Sequence, residues 1–234
     1  MKFKEIILKA EGDRKLSILP TPVSYKIFRV ISYYIVPIFL KLKISANAIT
    51  FFSLVLSILS ALAIISGSTQ GFIAGILLYF AAIICDYIDG GVARATNTTT
   101  FFGKFYDGLV GIAAVCIIRL ALVYLVFTKY QVNALIWAGM FCLVLTPWQH
   151  FIFDRYSAYA RWINTDKKLN IAPYIRRNFS PKIANVVEDL ELPLLILSLF
   201  LFSPGMWIYF TINILVALGY VSYHIYCAFA NMRV

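Results

Sequence analysis

Asp86-Tyr87-Ile88-Asp89-Gly90-Gly91-Val92-Ala93-Arg94, then eight residues, then Gly103-Lys104-Phe105-Tyr106-Asp107, is the stretch on which the fold turns. It sets three carboxylates at the junction of two apolar segments. No other acidic residue occurs between Asp13 and Asp154. Ionised carboxylates are costly near hydrocarbon, so a group of them in a chain that otherwise avoids acid marks a functional site.

The surrounding sequence is that of a membrane protein. Hydrophobic residues make up 61% of the 234, and the mean hydropathy is +0.81, well above an ordinary soluble domain. The expected fold is all-α and polytopic. Apolar segments near residues 48–66, 71–88, 104–127, 132–153, 190–203 and 207–229 predict six transmembrane helices, since a crossing takes about 20 residues. The fifth is short and is expected to extend back toward Pro181. Gly67-Ser68, Thr128-Lys129 and Ser203-Pro204-Gly205 read as the turns of three hairpins, all on one side.

Charge sorts the two sides. Of 21 Lys and Arg, nine precede Asn47 and seven lie between Arg155 and Lys182. Arg94, Lys104 and Arg233 fall on the same side, Lys129 on the other, and Arg119 inside a span. The positive-inside rule then puts both termini and the carboxylate cluster in the cytoplasm. The net charge of +10 fits a basic face against an anionic leaflet, and nucleic acid is not an expected partner. The first fifteen residues are too charged for a cleavable signal peptide. Cys85, Cys116, Cys142 and Cys227 are scattered one to a segment and read as small core residues, with no zinc or disulfide spacing.

Two parts are expected. Residues 1–46 form a basic arm and a juxtamembrane helix, and residues 47–234 form the membrane domain. Thr21-Pro22 reads as a helix start. Lys26, Arg29, Lys41 and Lys43 alternate with Ile27, Phe28, Ile31, Tyr34, Ile35, Ile38 and Phe39. That pattern suggests an amphipathic interfacial helix bent at Pro37. The polar stretch 154–188 is either a positive-inside loop or a basic wall around a phosphorylated substrate. Arg119 either snorkels, pairs with a buried acceptor or meets a lipid phosphate.

Asp86 and Asp89, three residues apart, share a helix face. Gly90-Gly91 leaves the backbone open to close approach by a ligand. Asp107 lies just inside the third span, so pairing the second and third spans brings all three acids to one point. Converging hard oxygen donors suit Mg²⁺ or Mn²⁺ beside a phosphorylated substrate. Arg94 is placed to hold a phosphate by charge-assisted hydrogen bonds. The plainer alternative is that these acids cap helices or pair with Arg94 and Lys104.

The spacing D-x₂-D-G-x₂-A-R-x₈-G-x₃-D resembles the signature of the CDP-alcohol phosphotransferases, also called CDP-alcohol phosphatidyltransferases. Asp86, Asp89, Gly90, Ala93, Arg94, Gly103 and Asp107 keep every interval. Upstream, Ser45-Ala46-Asn47-Ala48-Ile49-Thr50 keeps the Asn and Thr of a second family segment but not its Pro. The resemblance implies a membrane enzyme of phospholipid or glycolipid biosynthesis, in a prokaryotic-type cell membrane. Such enzymes pass a phosphoalcohol group from a CDP-linked donor, such as CDP-diacylglycerol, to an acceptor hydroxyl and release CMP. It further implies that Asp86, Asp89 and Asp107 bind one or two Mg²⁺ or Mn²⁺ ions. Asn47, Thr50, Gly90, Ala93, Arg94 and Gly103 would line the cytidine diphosphate pocket. Family members commonly form homodimers, and the arginine-rich surroundings lean toward a phosphorylated acceptor or a membrane lipid.

The signature breaks at its last position. Its fourth aspartate falls on Gly111. The resemblance makes that aspartate a ligand of a second ion and the general base for the acceptor. Glycine has no side chain for either task. By position, His150 and Asp154 are candidate substitute bases. The alternative is a catalytically inactive member that binds a CDP-linked lipid or nucleotide as a membrane scaffold. A transporter is disfavoured, because no internal repeat is evident and the acids sit at a membrane edge rather than its middle.

Overall fold

A computed structural model describes residues 23–167 and 181–231. The expected basic arm, with Thr21-Pro22, and the basic residues Lys168, Arg176, Arg177 and Arg233 lie outside the described residues. Among the described residues the chain is helical: α1 (Val23–Lys41), α2 (Ala46–Ile65), α3 (Thr69–Ala95), α4 (Phe101–Leu125), a π-helical turn (Val126–Tyr130), α5 (Asn133–Lys167), α6 (Pro181–Phe200) and α7 (Phe202–Asn231). Five helical stretches are long and apolar enough to cross a membrane: Ala46–Ile65, Thr69–Ala95, Phe101–Tyr130, Asn133–Trp162 and Phe202–Phe229. The remaining expected span corresponds to α6, which does reach back to Pro181; its shorter apolar part is Glu191–Phe200. The all-α membrane architecture is therefore as the composition required. Several helices outrun their apolar stretches, most of all α5, because backbone hydrogen bonding continues where hydrophobicity stops.

The chain divides into two compact units, residues 1–125 and 126–234. In the first, α2 packs against both α3 and α4, and α1 packs against α3. Ser45 and Ser68 cap α2 and α3, accepting from Ala48 N at 3.3 Å and Gly71 N at 3.0 Å. The α2 face toward its neighbours is small and hydroxylated. Ser53, Ser57 and Ser60 are buried. Ser53 and Ser57 fold their hydroxyls back onto Thr50 O at 2.7 Å and Ser53 O at 2.9 Å, while Ser60 donates across to Gly75 O at 2.7 Å. Small residues let helix backbones approach closely in lipid, where apolar burial gives little driving force.

Gly75 completes that seam. A Cβ there would stand 2.7 Å from Ile64 Cγ1 and 3.1 Å from Ser60 O. Gly75→Leu is expected to force α2 and α3 apart and destabilise the first unit by about 1–3 kcal/mol, as overpacking does. A lowered melting temperature in detergent checks this; an unchanged one would show that the seam is slack.

α1 departs from the amphipathic expectation. Phe28, Ser32, Tyr33 and Val36 are buried, and Phe28 packs against Phe80 and Tyr87 of α3 at ring separations of 5.3 and 6.1 Å. Ile27, Val30, Ile31, Tyr34 and Ile38 are exposed, so both faces are apolar. Arg29, read as part of a polar face, is buried and donates from Nε to Tyr33 Oη at 2.7 Å. The contact of Phe28 with Phe80 and Tyr87 makes that side of α1 its inner face.

In the second unit α7 packs against α5 and α6. His224 is buried, with Nδ1 2.7 Å from Tyr220 O, among the rings of Phe153, Tyr156, Tyr220 and Tyr223. The α6–α7 reversal falls at Leu201-Phe202 and not at Ser203-Pro204-Gly205. Phe202 takes φ 55°, and Ser203, Pro204 and Gly205 form the first turn of α7. A proline is tolerated there because first-turn N–H groups have no helical acceptor. Of the four cysteines, Cys85 and Cys142 are buried as core residues, while Cys116 and Cys227 are half-buried.

Candidate metal centre

Three helices of the first unit supply the site. α3 runs unbroken through Gly90-Gly91 to Ala95, carrying Asp86, Asp89, Ala93 and Arg94 in its last turns. It stops at Asn97, which takes the left-handed φ of 55°, while Thr98 N bonds back to Ala93 O at 2.9 Å. That is a helix terminator in which asparagine replaces the usual glycine. Thr100 Oγ1 then accepts from Gly103 N at 2.9 Å and opens α4. Neither residue was singled out in the sequence, although a threonine just before an apolar helix is a recognisable cap.

The two helices bring the acids together. One carboxylate oxygen from each of Asp86, Asp89 and Asp107 lies within 4.8 Å of the others. Asp86 and Asp107 touch through a side-chain hydrogen bond. Asp89 is only 4% exposed. It accepts from the Thr50 hydroxyl at 2.5 Å and from the Gly90 N–H, and its charge faces the Arg94 guanidinium. Three carboxylates this close repel one another unless a cation or proton intervenes. Oxygens around one Mg²⁺ or Mn²⁺ lie about 3–4 Å apart, so a small side-chain rotation makes this set a coordinating one. The donors, all hard oxygens, fit such an ion.

The flanking positions are equally specific. A Cβ on Gly90 would stand 3.0 Å from Arg94 Nη1; the guanidinium reaches back over the bare glycine one turn earlier. A Cβ on Gly103 would meet Thr100 Oγ1 at 3.1 Å and Asn47 Oδ1 at 3.5 Å, so the first turns of α2 and α4 meet at this point. Ala93 is half-buried and Asn47 exposed. Thr50 is buried at 3% exposure. Gly111, on α4, is half-buried, and a Cβ there meets nothing within 4 Å. His150 and Asp154 are exposed on α5, in the second unit. Arg119 is buried in α4, and Arg155 lies over the Phe151 ring at 5.1 Å.

The profile of the CDP-alcohol phosphatidyltransferase family matches residues 43–221. The chain belongs to this family. The match covers more than half of the sequence and includes α2, α3 and α4 in full, and with them all three acids. Solved structures agree on the fold. A crystal structure of Mycobacterium tuberculosis phosphatidylinositol phosphate synthase with CDP-DAG bound superposes with a TM-score of 0.60 at 19% identity, over 84% of this chain and 92% of that one. The same enzyme in complex with manganese and citrate gives a TM-score of 0.58 at 21% identity, over 81% and 88%. No curated protein matches the sequence. Family membership makes the chain a CDP-alcohol phosphotransferase by class, and its long apolar helices make it an integral membrane protein.

Proposed function

We propose that this protein uses a divalent cation, Mg²⁺ or Mn²⁺, to transfer a phosphoalcohol group from a CDP-linked lipid donor of the CDP-diacylglycerol type to an acceptor hydroxyl, releasing CMP. The observation that carries the reading is the convergence of Asp86, Asp89 and Asp107, from two helices, within 4.8 Å. The bound ion would polarise the phosphoryl oxygens and offset charge developing on the departing phosphate. Asp86 and Asp89 hold it from α3, and Asp107 from α4. The Arg94 guanidinium, seated over Gly90, binds the pyrophosphate of the donor and orients it. Asn47 and Gly103, side by side, border the nucleotide. The acceptor oxygen bonds to the phosphorus that carries the alcohol, the bond from that phosphorus to the CMP oxygen breaks, and the hydroxyl proton leaves with a base. The distribution of Lys and Arg supports a cytoplasmic site and cytoplasmic termini.

Position 111 gives no base. We therefore place this chain among slow transferases, with proton removal by solvent or by an acceptor's own phosphate. Gly111 equally favours a second reading, in which the site binds a CDP-linked lipid without turning it over. A CMP-release assay in liposomes, over a panel of CDP-linked donors with Mg²⁺ or Mn²⁺, separates the two. Metal-dependent CMP release that EDTA abolishes supports transfer. Nucleotide and metal binding with no turnover on any donor establishes the second reading.

Arg94 offers a graded test. Hydrogen bonds to charged groups contribute about 1.5–3 kcal/mol each. Arg94→Ala is accordingly expected to raise the KM for the donor by about 10–100-fold, with a smaller effect on kcat. Gly90→Ala, which pushes the guanidinium from its seat, should shift KM in the same direction by less. An unchanged KM in Arg94→Ala would remove Arg94 from the pyrophosphate.

A further inference from the structure

We infer that Thr50 is a positioning residue of the metal centre: its hydroxyl locks Asp89, and it does not bind nucleotide. The inference rests on the metal reading above. Thr50 is 3% exposed, which leaves no surface for a ligand, and its Oγ1 stands 2.5 Å from Asp89 Oδ2. The same oxygen is 3.1 Å from Ala46 O. A hydroxyl has one proton to donate. The nearer, charged acceptor takes it, since charge-assisted hydrogen bonds are shorter and stronger than neutral ones.

Asp89 Oδ2 is thereby fixed from across the helix interface, and the Gly90 N–H adds a second donor. Without the hydroxyl, Asp89 is held by its own helix alone and its carboxylate can rotate. The threonine is itself well anchored. Its backbone carbonyl accepts from Ser53 Oγ at 2.7 Å, and its neighbour Ile49 packs in a core with Cys85, Ile88 and Val92 of α3. Outer partners of metal ligands typically change affinity or activity 10–100-fold when removed.

The test is a Mn²⁺ titration of the full chain in detergent, followed by the loss of the free-ion electron paramagnetic resonance signal, with thermal unfolding as the folding control. Thr50→Val keeps the shape and removes the donor, and its Mn²⁺ Kd is expected to rise about 10–100-fold. Thr50→Ser keeps the donor and should stay near the wild-type value. Thr50→Ala is the second donor-free variant, should Val not fold. CMP affinity at saturating Mn²⁺ should be unchanged in all of them. A wild-type Mn²⁺ Kd in both donor-free variants, or a CMP defect without a Mn²⁺ defect, overturns the inference while leaving the metal reading intact. If wild-type protein binds no Mn²⁺, both fall together.

Discussion

Asp107→Asn is expected to abolish metal-dependent CMP release, lowering turnover by at least about 10³-fold, a barrier increase of about 4 kcal/mol. Asp107 is the one acid of the cluster that α4 contributes. Losing it leaves two carboxylates on a single helix, with no third carboxylate opposite them. Asparagine keeps the size and can still hydrogen-bond to Asp86, which Asp107 already contacts. It also removes one of three mutually repelling charges. The metal-free variant should therefore unfold at the wild-type temperature or above it, while the stabilisation gained on adding Mn²⁺ disappears. At an ion concentration of about 100 times Kd that stabilisation is about 2.7 kcal/mol in a protein that binds. The two readouts together identify a ligand: a merely structural acid would lose stability as well as activity. Retained Mn²⁺-dependent CMP release in Asp107→Asn would refute the proposed centre.

Gly111→Asp is expected to do the reverse and raise turnover by about 10²-fold or more, within the range a general base contributes. Residue 111 lies one turn beyond Asp107 and shares its side of α4. A Cβ at 111 meets nothing within 4 Å, so a side chain can start there without displacing a neighbour. Replacing glycine inside a helix is mildly favourable for the backbone, while the fourth carboxylate adds to the repulsion among the other three until a cation binds. Gly111→Asn is the control, having the same shape without the basicity. A gain confined to Asp shows that the transfer lacks a base. Equal changes in both variants, or no change in either, would mean that proton removal is supplied elsewhere, and would send attention to His150 and Asp154.

Much of the site was legible because two strong constraints coincide there. Carboxylates are disfavoured near hydrocarbon, and helical geometry converts intervals of three or four residues into shared faces. Asp86, Asp89 and Asp107 satisfy both, and the structure brings them together. Hydropathy also located the five helices long and apolar enough to cross a membrane, since crossing hydrocarbon demands length and apolarity; at the sixth expected span the apolar part of α6 is only Glu191–Phe200. It did not locate their ends. α5 continues as far as Lys167, well past the apolar residues, and nothing in side-chain polarity forbids a helix from leaving the membrane intact. The Phe202 reversal was hidden for a related reason: Ser203-Pro204-Gly205 has the composition of a turn, and also of a first helical turn. Arg29 was misplaced because it turns onto Tyr33 of its own helix, on a side of α1 whose burial depends on distant partners: Phe80 and Tyr87 of α3 pack on the neighbouring Phe28. The Thr50–Asp89 bond likewise joins positions 39 residues apart, and no local pattern announces it.

The connector from Thr96 to Thr100 has a consequence of its own. Asn97 shuts α3 and Thr100 starts α4 with two residues between them, so there is almost no slack in which a change of length could be absorbed. Successive helical residues are turned about 100° from one another. One residue added between Thr100 and Asp107 would swing that carboxylate a quarter-turn or more off the cluster. The eight-residue interval between Arg94 and Gly103 is thus an angular setting as much as a distance. It acts as a ruler that holds α4 in phase with α3, so an insertion there is expected to disperse the three carboxylates as surely as a substitution removes one.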